Sequence, residues 1–88
     1  MAKTTIAPSE KAERERIGAT IRTYREMRGY RPDEFASEIL ISRPYLANIE
    51  AGRKPLTEVL LSRISGALDV RPIAIVREDY FMAAEVSA

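Results

Sequence analysis

The residues from Pro32 to Ala51 constrain the fold of this chain more than any other stretch. Apolar residues recur through it at helical spacing, but the interval lengthens in the middle, between Ile41 and Leu46. One continuous helix would not place this apolar set on a single face, whereas two helices joined by a tight turn would. The stretch therefore predicts two short helices that meet at a corner, with the turn at residues 39–41.

Each helix of this corner has its own start signal. Ser42 is a good N-cap for the second helix. Its hydroxyl is expected to accept from the Tyr45 amide, because Pro44 has no N–H to donate. Pro32 stands where the first helix begins, a position that favours proline. The small side chain of Ala36 is expected where the two helices cross.

Helical spacing continues on both sides of the corner. Residues 9–29 predict one long helix, with Ser9 as its cap and Gly29 just past its end. Thr57 is expected to cap a further helix, and a last helical segment is expected after Asp69. The sequence has no strand pattern and no internal repeat, so we predict an all-α fold with five helices.

A set of spaced residues links this pattern to a known family. The set comprises Phe35-Ala36, Ile39, Ile41-Ser42, Leu46, Ile49-Glu50 and Gly52, with flanking agreement from Ile17-Gly18 to Gly29 and from Ala67 to Pro72. It resembles the helix-turn-helix of the Cro and lambda-repressor type, the Xre-like regulators. The resemblance implies a five-helix lambda-repressor-like domain that binds double-stranded DNA. It makes residues 43–51 the recognition helix, which enters the major groove while the first corner helix lies across the backbone.

The length of 88 residues allows one domain with a modest core. We expect residues 1–8 to form a flexible N-terminal tail. Residues 9–76 would form the helix-turn-helix DNA-binding domain, with the corner at 32–51. Residues 77–88 would form a C-terminal helical extension that contributes a dimer contact.

The composition excludes several classes of function. The chain has no cysteine and no histidine, so we predict no disulfide, metal site, cofactor or nucleophilic catalytic group. The acidic residues Asp33, Glu34 and Glu38 are spread along an exposed helix, which does not predict an enzyme. No apolar run approaches the roughly 20 residues of a membrane span. The expected location is the cytoplasm of a bacterium or a phage-infected host cell.

The net charge of +1 alone does not indicate a nucleic-acid binder, but the charges are unevenly distributed. Residues 14–55 carry nine basic against six acidic side chains, whereas residues 56–88 carry three against five. The positive half of the chain therefore coincides with the half that is expected to bind DNA.

Four residues of the recognition helix are predicted to contact bases. Arg43 can offer two parallel N–H groups to O6 and N7 of a guanine. Asn48 lies further along the helix, and its amide can pair with adenine or with phosphate. Tyr45 can stack on a sugar or meet a thymine methyl, and Pro44 can supply only an apolar contact. The alternatives are a solvated Arg43 and Asn48 and a Tyr45 that covers the edge of the core.

Phosphate contacts are predicted for Arg31, Ser42, Arg53 and Lys54, which lie at the ends of the corner helices. The peptide N–H groups around Gly52 are also expected to donate to phosphate. Ordinary solvation of these side chains is the alternative.

Two positions depart from the family pattern. Family members usually have a Ser or Thr cap followed by Gln where this chain has Arg31 and Pro32. Leu40 stands at the corner position where the family generally has glycine, which accepts a positive φ without a Cβ clash. Leu40 therefore implies either a strained turn or a turn with altered geometry, and it would expose a leucine.

The resemblance also aligns Arg25 and Glu50 with a partly buried ion pair that joins the first helix to the end of the recognition helix. A bidentate guanidinium–carboxylate pair suits such a place, because each charge would be costly to bury alone.

The C-terminal part of the chain is more apolar than the end of a small domain requires. Ile73, Val76, Tyr80 and Phe81 form the apolar face in question. We expect it to be the contact surface of a homodimer. The alternative is that this face packs onto the chain's own core.

The sequence predicts a sequence-specific DNA-binding transcriptional regulator that represses by occupying an operator as a dimer. The alternative function is a protein-interaction module, such as an antitoxin, for which DNA binding is secondary. A steep salt dependence of DNA binding distinguishes the first function from the second.

Overall fold

The computed structural model describes residues 9–81, and within this range every regular element is helical. Four α-helices follow one another: α1 (Glu10–Met27), α2 (Pro32–Glu38), α3 (Arg43–Glu50) and α4 (Glu58–Leu68). A short 3₁₀ helix, Pro72–Ala74, comes last. The predicted tail at residues 1–8 and residues 82–88 of the predicted extension lie outside the described residues.

The first helix begins and ends as its sequence predicts. The hydroxyl of Ser9 accepts from the Ala12 N–H at 3.0 Å. The first turn contains Glu10 and Glu13, whose negative charges interact favourably with the positive end of the helix dipole. Gly29 follows the end of α1 with a φ of +80°, a left-handed conformation that glycine adopts without a Cβ clash.

Helices α2 and α3 form the predicted corner. Pro32 begins α2, and the Arg31 N–H donates to Oε1 of Glu34 at 3.0 Å. The rings of Tyr30 and Phe35 pack across this start with their centroids 5.1 Å apart. Ala36 is buried where the helices meet. The corner is thus fixed by aromatic packing at its entrance and by a small residue at its crossing.

Leu40 closes the corner in a left-handed conformation. Its φ is 64°, and its side chain is 73% exposed. Of the two alternatives that the sequence left open, the structure has the strained turn, because a left-handed residue with a Cβ is unfavourable by about 1–2 kcal/mol.

One apolar core holds the four helices together. Its largest fully buried side chains come from every helix and from the segment after α4: Ile21, Phe35, Ile39, Leu46, Ile49, Ile64, Leu68 and Ile75. Helix α3 packs against both α1 and α2, and α4 packs against α1. Helix α3 therefore rests on the longest helix of the domain.

The predicted fifth α-helix does not begin at residues 69–72. The structure describes four α-helices instead of five, and after the 3₁₀ turn only Tyr80 and Phe81, at the end of the described range, are again helical. Asp69, the residue after α4, has a left-handed φ of 56°, which ends the helix. Only the three residues Pro72–Ala74 then form a 3₁₀ turn. Ile75 and Val76 are buried in the core directly after this turn. The guanidinium of Arg16 also donates to the Ile75 carbonyl, at 3.4 Å. These tertiary contacts hold the segment against α1 and α4, and they outweigh its local preference for a longer helix.

Arg77 links this last segment to the start of α1. Its Nε lies 3.8 Å from Oε2 of Glu13, which also accepts from Nη2 of Arg16 at 2.7 Å. The hydrogen bond from Arg16, with the charges of Arg16 and Arg77, holds the pKa of Glu13 below its ordinary value.

The strain at Leu40 is open to a direct test. In Leu40→Gly the folded state no longer carries the cost of a left-handed residue with a Cβ, about 1–2 kcal/mol. Glycine also gives the unfolded chain more conformational entropy, which lowers stability by about 0.5–1 kcal/mol. We expect the free energy of unfolding to rise by about 0.5–1 kcal/mol in urea denaturation. Leu40→Ala is the control, since it shortens the exposed side chain but keeps the strain. An equal gain in both variants would show that φ is not the cause.

Candidate nucleic-acid interface

The start of α3 is built as the sequence predicts. The Ser42 hydroxyl accepts from the Tyr45 N–H at 3.2 Å, and Pro44 stands in the first turn. Leu46 and Ile49 are buried on the inner side of the helix. This burial fixes which residues of α3 face outward.

The outward face of α3 is centred on four exposed residues. At 3.6 residues per turn they fall on one stripe, opposite the buried residues: Arg43, Pro44, Ala47 and Ala51. One guanidinium and three small apolar groups thus form the middle of the surface that a nucleic acid would meet.

The predicted base-contacting residues do not all lie in this stripe. Arg43 and Pro44 do, whereas Tyr45 and Asn48 are half-buried at one of its edges. Tyr45 packs against the core, which is the alternative raised for it from the sequence. Ala47 was not among the predicted residues, because a methyl group offers no hydrogen bond. Its position one turn after Arg43 was the available signal, since alanine can contact a thymine methyl.

Helix α3 lies unusually close to α1. A Cβ on Gly18 would collide with the carbonyl oxygens of Ile49 and Glu50. Nε of Arg14 also donates to the Gly52 carbonyl at 3.0 Å. The roles of Gly18 and Arg14 were missed in the sequence, because only the tertiary fold brings them to the end of α3.

The end of α3 is also tied to α1 by an ion pair between Arg25 and Glu50. Nε of Arg25 donates to Oε2 of Glu50 at 2.7 Å, and Nη2 donates to Oε1 at 3.1 Å. The third guanidinium nitrogen, Nη1, donates to the Tyr30 carbonyl at 2.9 Å. The two side chains are only 6% and 11% exposed. The hydrogen bonds that Arg25 donates to Glu50 raise the pKa of Arg25, so its guanidinium stays charged in this buried position.

The side chains predicted to contact phosphate are all exposed: Arg31, Ser42, Arg53 and Lys54. Nη2 of Arg31 lies 3.6 Å from a carboxylate oxygen of Glu34. This acidic neighbour offsets part of the charge that Arg31 would present to a phosphate. Arg53 and Lys54 follow α3 side by side, at the end of the helix opposite to Arg43.

The peptide N–H groups around Gly52 are not available for phosphate, contrary to the expectation from the sequence. The Gly52 N–H donates to the Ile49 carbonyl at 3.1 Å. The N–H groups of Arg53 and Lys54 donate to the Asn48 carbonyl at 2.9 and 3.3 Å. The reason is the helix end itself, because Gly52 turns the chain back onto the last carbonyls of α3 with a φ of +80°.

The four residues predicted as dimer contacts differ in exposure. Ile73 is 60% exposed, whereas Val76 is buried within the chain's own core. Tyr80 and Phe81 are half-buried and pack edge to face, with ring centroids 4.8 Å apart. A groove of about 370 Å³ runs beside Ile73 and Phe81. Of the four side chains, only Ile73 projects freely from this surface.

Residues 9–81 contain no group of three or more Asp and Glu side chains placed to hold a metal ion. No helix in this part of the chain is long and apolar enough to cross a membrane.

Comparison with known proteins identifies the class of this fold. The sequence matches the helix-turn-helix family over residues 21–75, which is more than half of the chain. The chain therefore belongs to this family, the Cro/C1-type helix-turn-helix proteins, which are DNA-binding transcription regulators. No curated protein sequence matches the chain significantly.

Solved structures of regulators share the fold. The clp gene regulator ClgR from Corynebacterium glutamicum is 29% identical, with a TM-score of 0.69, and the match covers 90% of this chain and 88% of that one. The restriction-modification controller protein C.AhdI from Aeromonas hydrophila is 23% identical, with a TM-score of 0.70, over 73% of this chain and 97% of that one. The second likeness shows the fold alone.

The ion pair predicts a large loss of stability on removal of one partner. In Glu50→Ala the Arg25 charge stays buried without its carboxylate, and we expect the free energy of unfolding to fall by about 3 kcal/mol or more. Thermal denaturation followed by circular dichroism measures the change. The control is Glu26→Ala, because Glu26 pairs with Arg22 at 3.1 Å on the surface. Its loss should cost no more than about 0.5 kcal/mol, and equal losses in the two variants would contradict the prediction.

Proposed function

We propose that this DNA-binding regulator is a repressor that recognises a specific operator sequence and occupies it as a homodimer. The observation that supports the proposal best is the outward stripe of α3, which presents Arg43 at its start, followed by small residues, on a rigidly held helix. Such a surface fits into a major groove without steric obstruction.

In the proposed complex α3 enters the major groove, and α2 lies across the backbone. Arg43 stands at the N-terminal end of α3, the part of a recognition helix that reaches base edges. Its two parallel N–H groups suit O6 and N7 of a guanine, and Pro44 and Ala47 suit thymine methyls. Tyr45, at the edge of the stripe, contacts the sugar.

Phosphates on either side of the groove are contacted from the ends of the two corner helices. Arg53 and Lys54 supply charge at the C-terminal end of α3, while Arg31 and the Ser42 hydroxyl supply contacts near the start of each helix. The positive balance of residues 14–55 favours the approach of this face to DNA.

Repression follows from occupancy. A domain seated in the groove of a promoter excludes polymerase from that DNA without any further chemistry. The described resemblance to ClgR, whose name marks it as a regulator of clp genes, supports a role in transcription control.

A dimer is proposed because a single short helix in one groove binds weakly. Two copies related by a two-fold axis would read half-sites about 34 Å apart. The contact is assigned to the surface around Ile73, with Tyr80 and Phe81 behind it.

A second candidate function, binding of a protein partner such as a toxin, is favoured by one observation. Leu40 is 73% exposed at the outer side of the corner, where it meets neither the core nor the outward stripe of α3. An exposed apolar side chain at this place suits a protein contact. Weak DNA binding with little salt dependence would favour this function over the first.

The reading of guanine by Arg43 is tested by selecting bound duplexes from a random pool. We expect the native protein to enrich an inverted repeat, and Arg43→Ala to lose about 1–3 kcal/mol of binding and its preference at one base pair. Arg43→Lys is the matched control, since it keeps the charge but not the bidentate fork. A base-pair preference that survives in Arg43→Ala would show that Arg43 only contacts phosphate.

The dimer surface is tested by sedimentation of two variants with matched exposure. Ile73 and Val59 are both 60% exposed, on the last segment and on α4 respectively. Ile73→Glu is expected to be a folded monomer with weakened operator binding. At a two-fold contact the buried glutamate of one protomer would face the same glutamate of its partner, and the two negative charges would repel each other. Val59→Glu should remain a dimer. A dimer in both variants would place the contact elsewhere.

A further inference from the structure

The way in which α3 ends brings Arg53 next to Asn48. Gly52 takes the left-handed position after the helix, its N–H bonds to the Ile49 carbonyl, and the Arg53 N–H bonds to the Asn48 carbonyl. This is the Schellman arrangement, which places the side chain two residues past the cap against the side chain in the last turn. That contact is usually apolar, and here it joins an amide to a guanidinium.

The contact is a short hydrogen bond. Nε of Arg53 donates to Oδ1 of Asn48 at 2.7 Å. Because a guanidinium can only donate, the atom it faces must be the amide oxygen, so the orientation of the Asn48 amide is fixed. The NH₂ group of Asn48 and the four N–H groups on the terminal nitrogens of Arg53 remain to bind a ligand. The pair therefore presents six N–H donors and, as an acceptor, only the second lone pair of the Asn48 oxygen.

A pair that presents mainly donors suits adenine poorly. Reading adenine requires the asparagine amide to donate to N7 and to accept from N6 at the same time. The Asn48 oxygen already accepts from Arg53 at 2.7 Å, so it would have to accept from N6 with its second lone pair while it keeps that bond. Asn48 is also half-buried at the edge of the outward stripe of α3, whereas Arg43 and Ala47 occupy its middle.

A phosphate group matches what the pair offers. Its oxygens accept several hydrogen bonds, and its negative charge complements the guanidinium. The pair lies at the C-terminal end of α3, opposite the end that reaches base edges in this type of domain. The neighbouring Lys54 adds a second positive charge at the same place.

We propose that Asn48 and Arg53 bind one DNA phosphate together as a preformed clamp, and that Asn48 does not read a base. This inference rests on the proposed function, since it requires DNA in the groove of α3. Within the clamp, Asn48 holds the guanidinium in place before DNA arrives, which lowers the entropy lost on binding. The amide NH₂ group and a terminal nitrogen of Arg53 then donate to the same phosphate.

The test compares four variants with the native protein: Asn48→Ala, Arg53→Ala, the double variant and Asn48→Asp. Binding is measured by fluorescence anisotropy over a range of potassium chloride concentrations, with short duplexes of random sequence. Base preference is measured in parallel by selection from a random pool. Thermal melting of each variant verifies that it is folded.

We expect each single alanine variant to bind random duplexes about tenfold more weakly, and the double variant to bind scarcely more weakly than either single one. Arg53→Ala should also lower the slope of log affinity against log salt by about one. In Asn48→Asp the carboxylate still accepts from Arg53, but its second, negatively charged oxygen faces the phosphate. This variant should therefore bind the random duplexes more weakly than Asn48→Ala. Base preferences should stay unchanged in all four variants.

Two results would overturn the clamp. One is loss of an adenine preference in Asn48→Ala with a change toward cytosine in Asn48→Asp, because an aspartate accepts from cytosine N4. The other is additivity of the two alanine substitutions, which would mean that the residues act separately. Failure of the native protein to bind either kind of duplex would instead overturn the proposed function, and the clamp with it.

Discussion

The ion pair between Arg25 and Glu50 is the interaction on which the rest of the structure depends. It joins the last turn of the domain's longest helix to the last residue of α3, and Arg25 also donates to the Tyr30 carbonyl at the entrance to α2. Three helices thus meet at one guanidinium. Because both charges are buried, they are stable only together, and this makes the position of α3 on α1 specific. Gly18 permits the close approach that the pair requires.

The departures from the family pattern are accommodated locally. Leu40 takes the left-handed conformation that glycine would adopt more easily, and the corner keeps its shape at the cost of strain. At the start of α2 no side chain caps the first helical amides, but Glu34 accepts from the Arg31 N–H, which is the second half of a capping box. These departures change the chemistry of the exposed surface of the corner, while Phe35, Ala36 and Ile39 beneath it stay buried in the core.

Much of the fold could be predicted from residue spacing. The caps at Ser9, Ser42 and Thr57 accept from the amides three residues on, as their types and positions indicate. The last segment could not be predicted in this way. Its Pro72 and apolar residues favour a helix locally, but the burial of Ile75 against other helices decides its path. Contacts of long sequence separation leave no periodic signal in a single sequence.

The candidate nucleic-acid interface also has features that residue spacing predicts and features that only tertiary contacts decide. The sequence alone determined the corner, the start signals of its two helices and Arg43 at the exposed start of α3, because these depend on local spacing and on the chemistry of single residues. Only the tertiary structure decided that Ala47 lies in the middle of the outward face and that Asn48 is held by Arg53 at its edge. Which side of α3 faces outward depends on how α1 and α2 bury its other side, and this is a property of packing between helices.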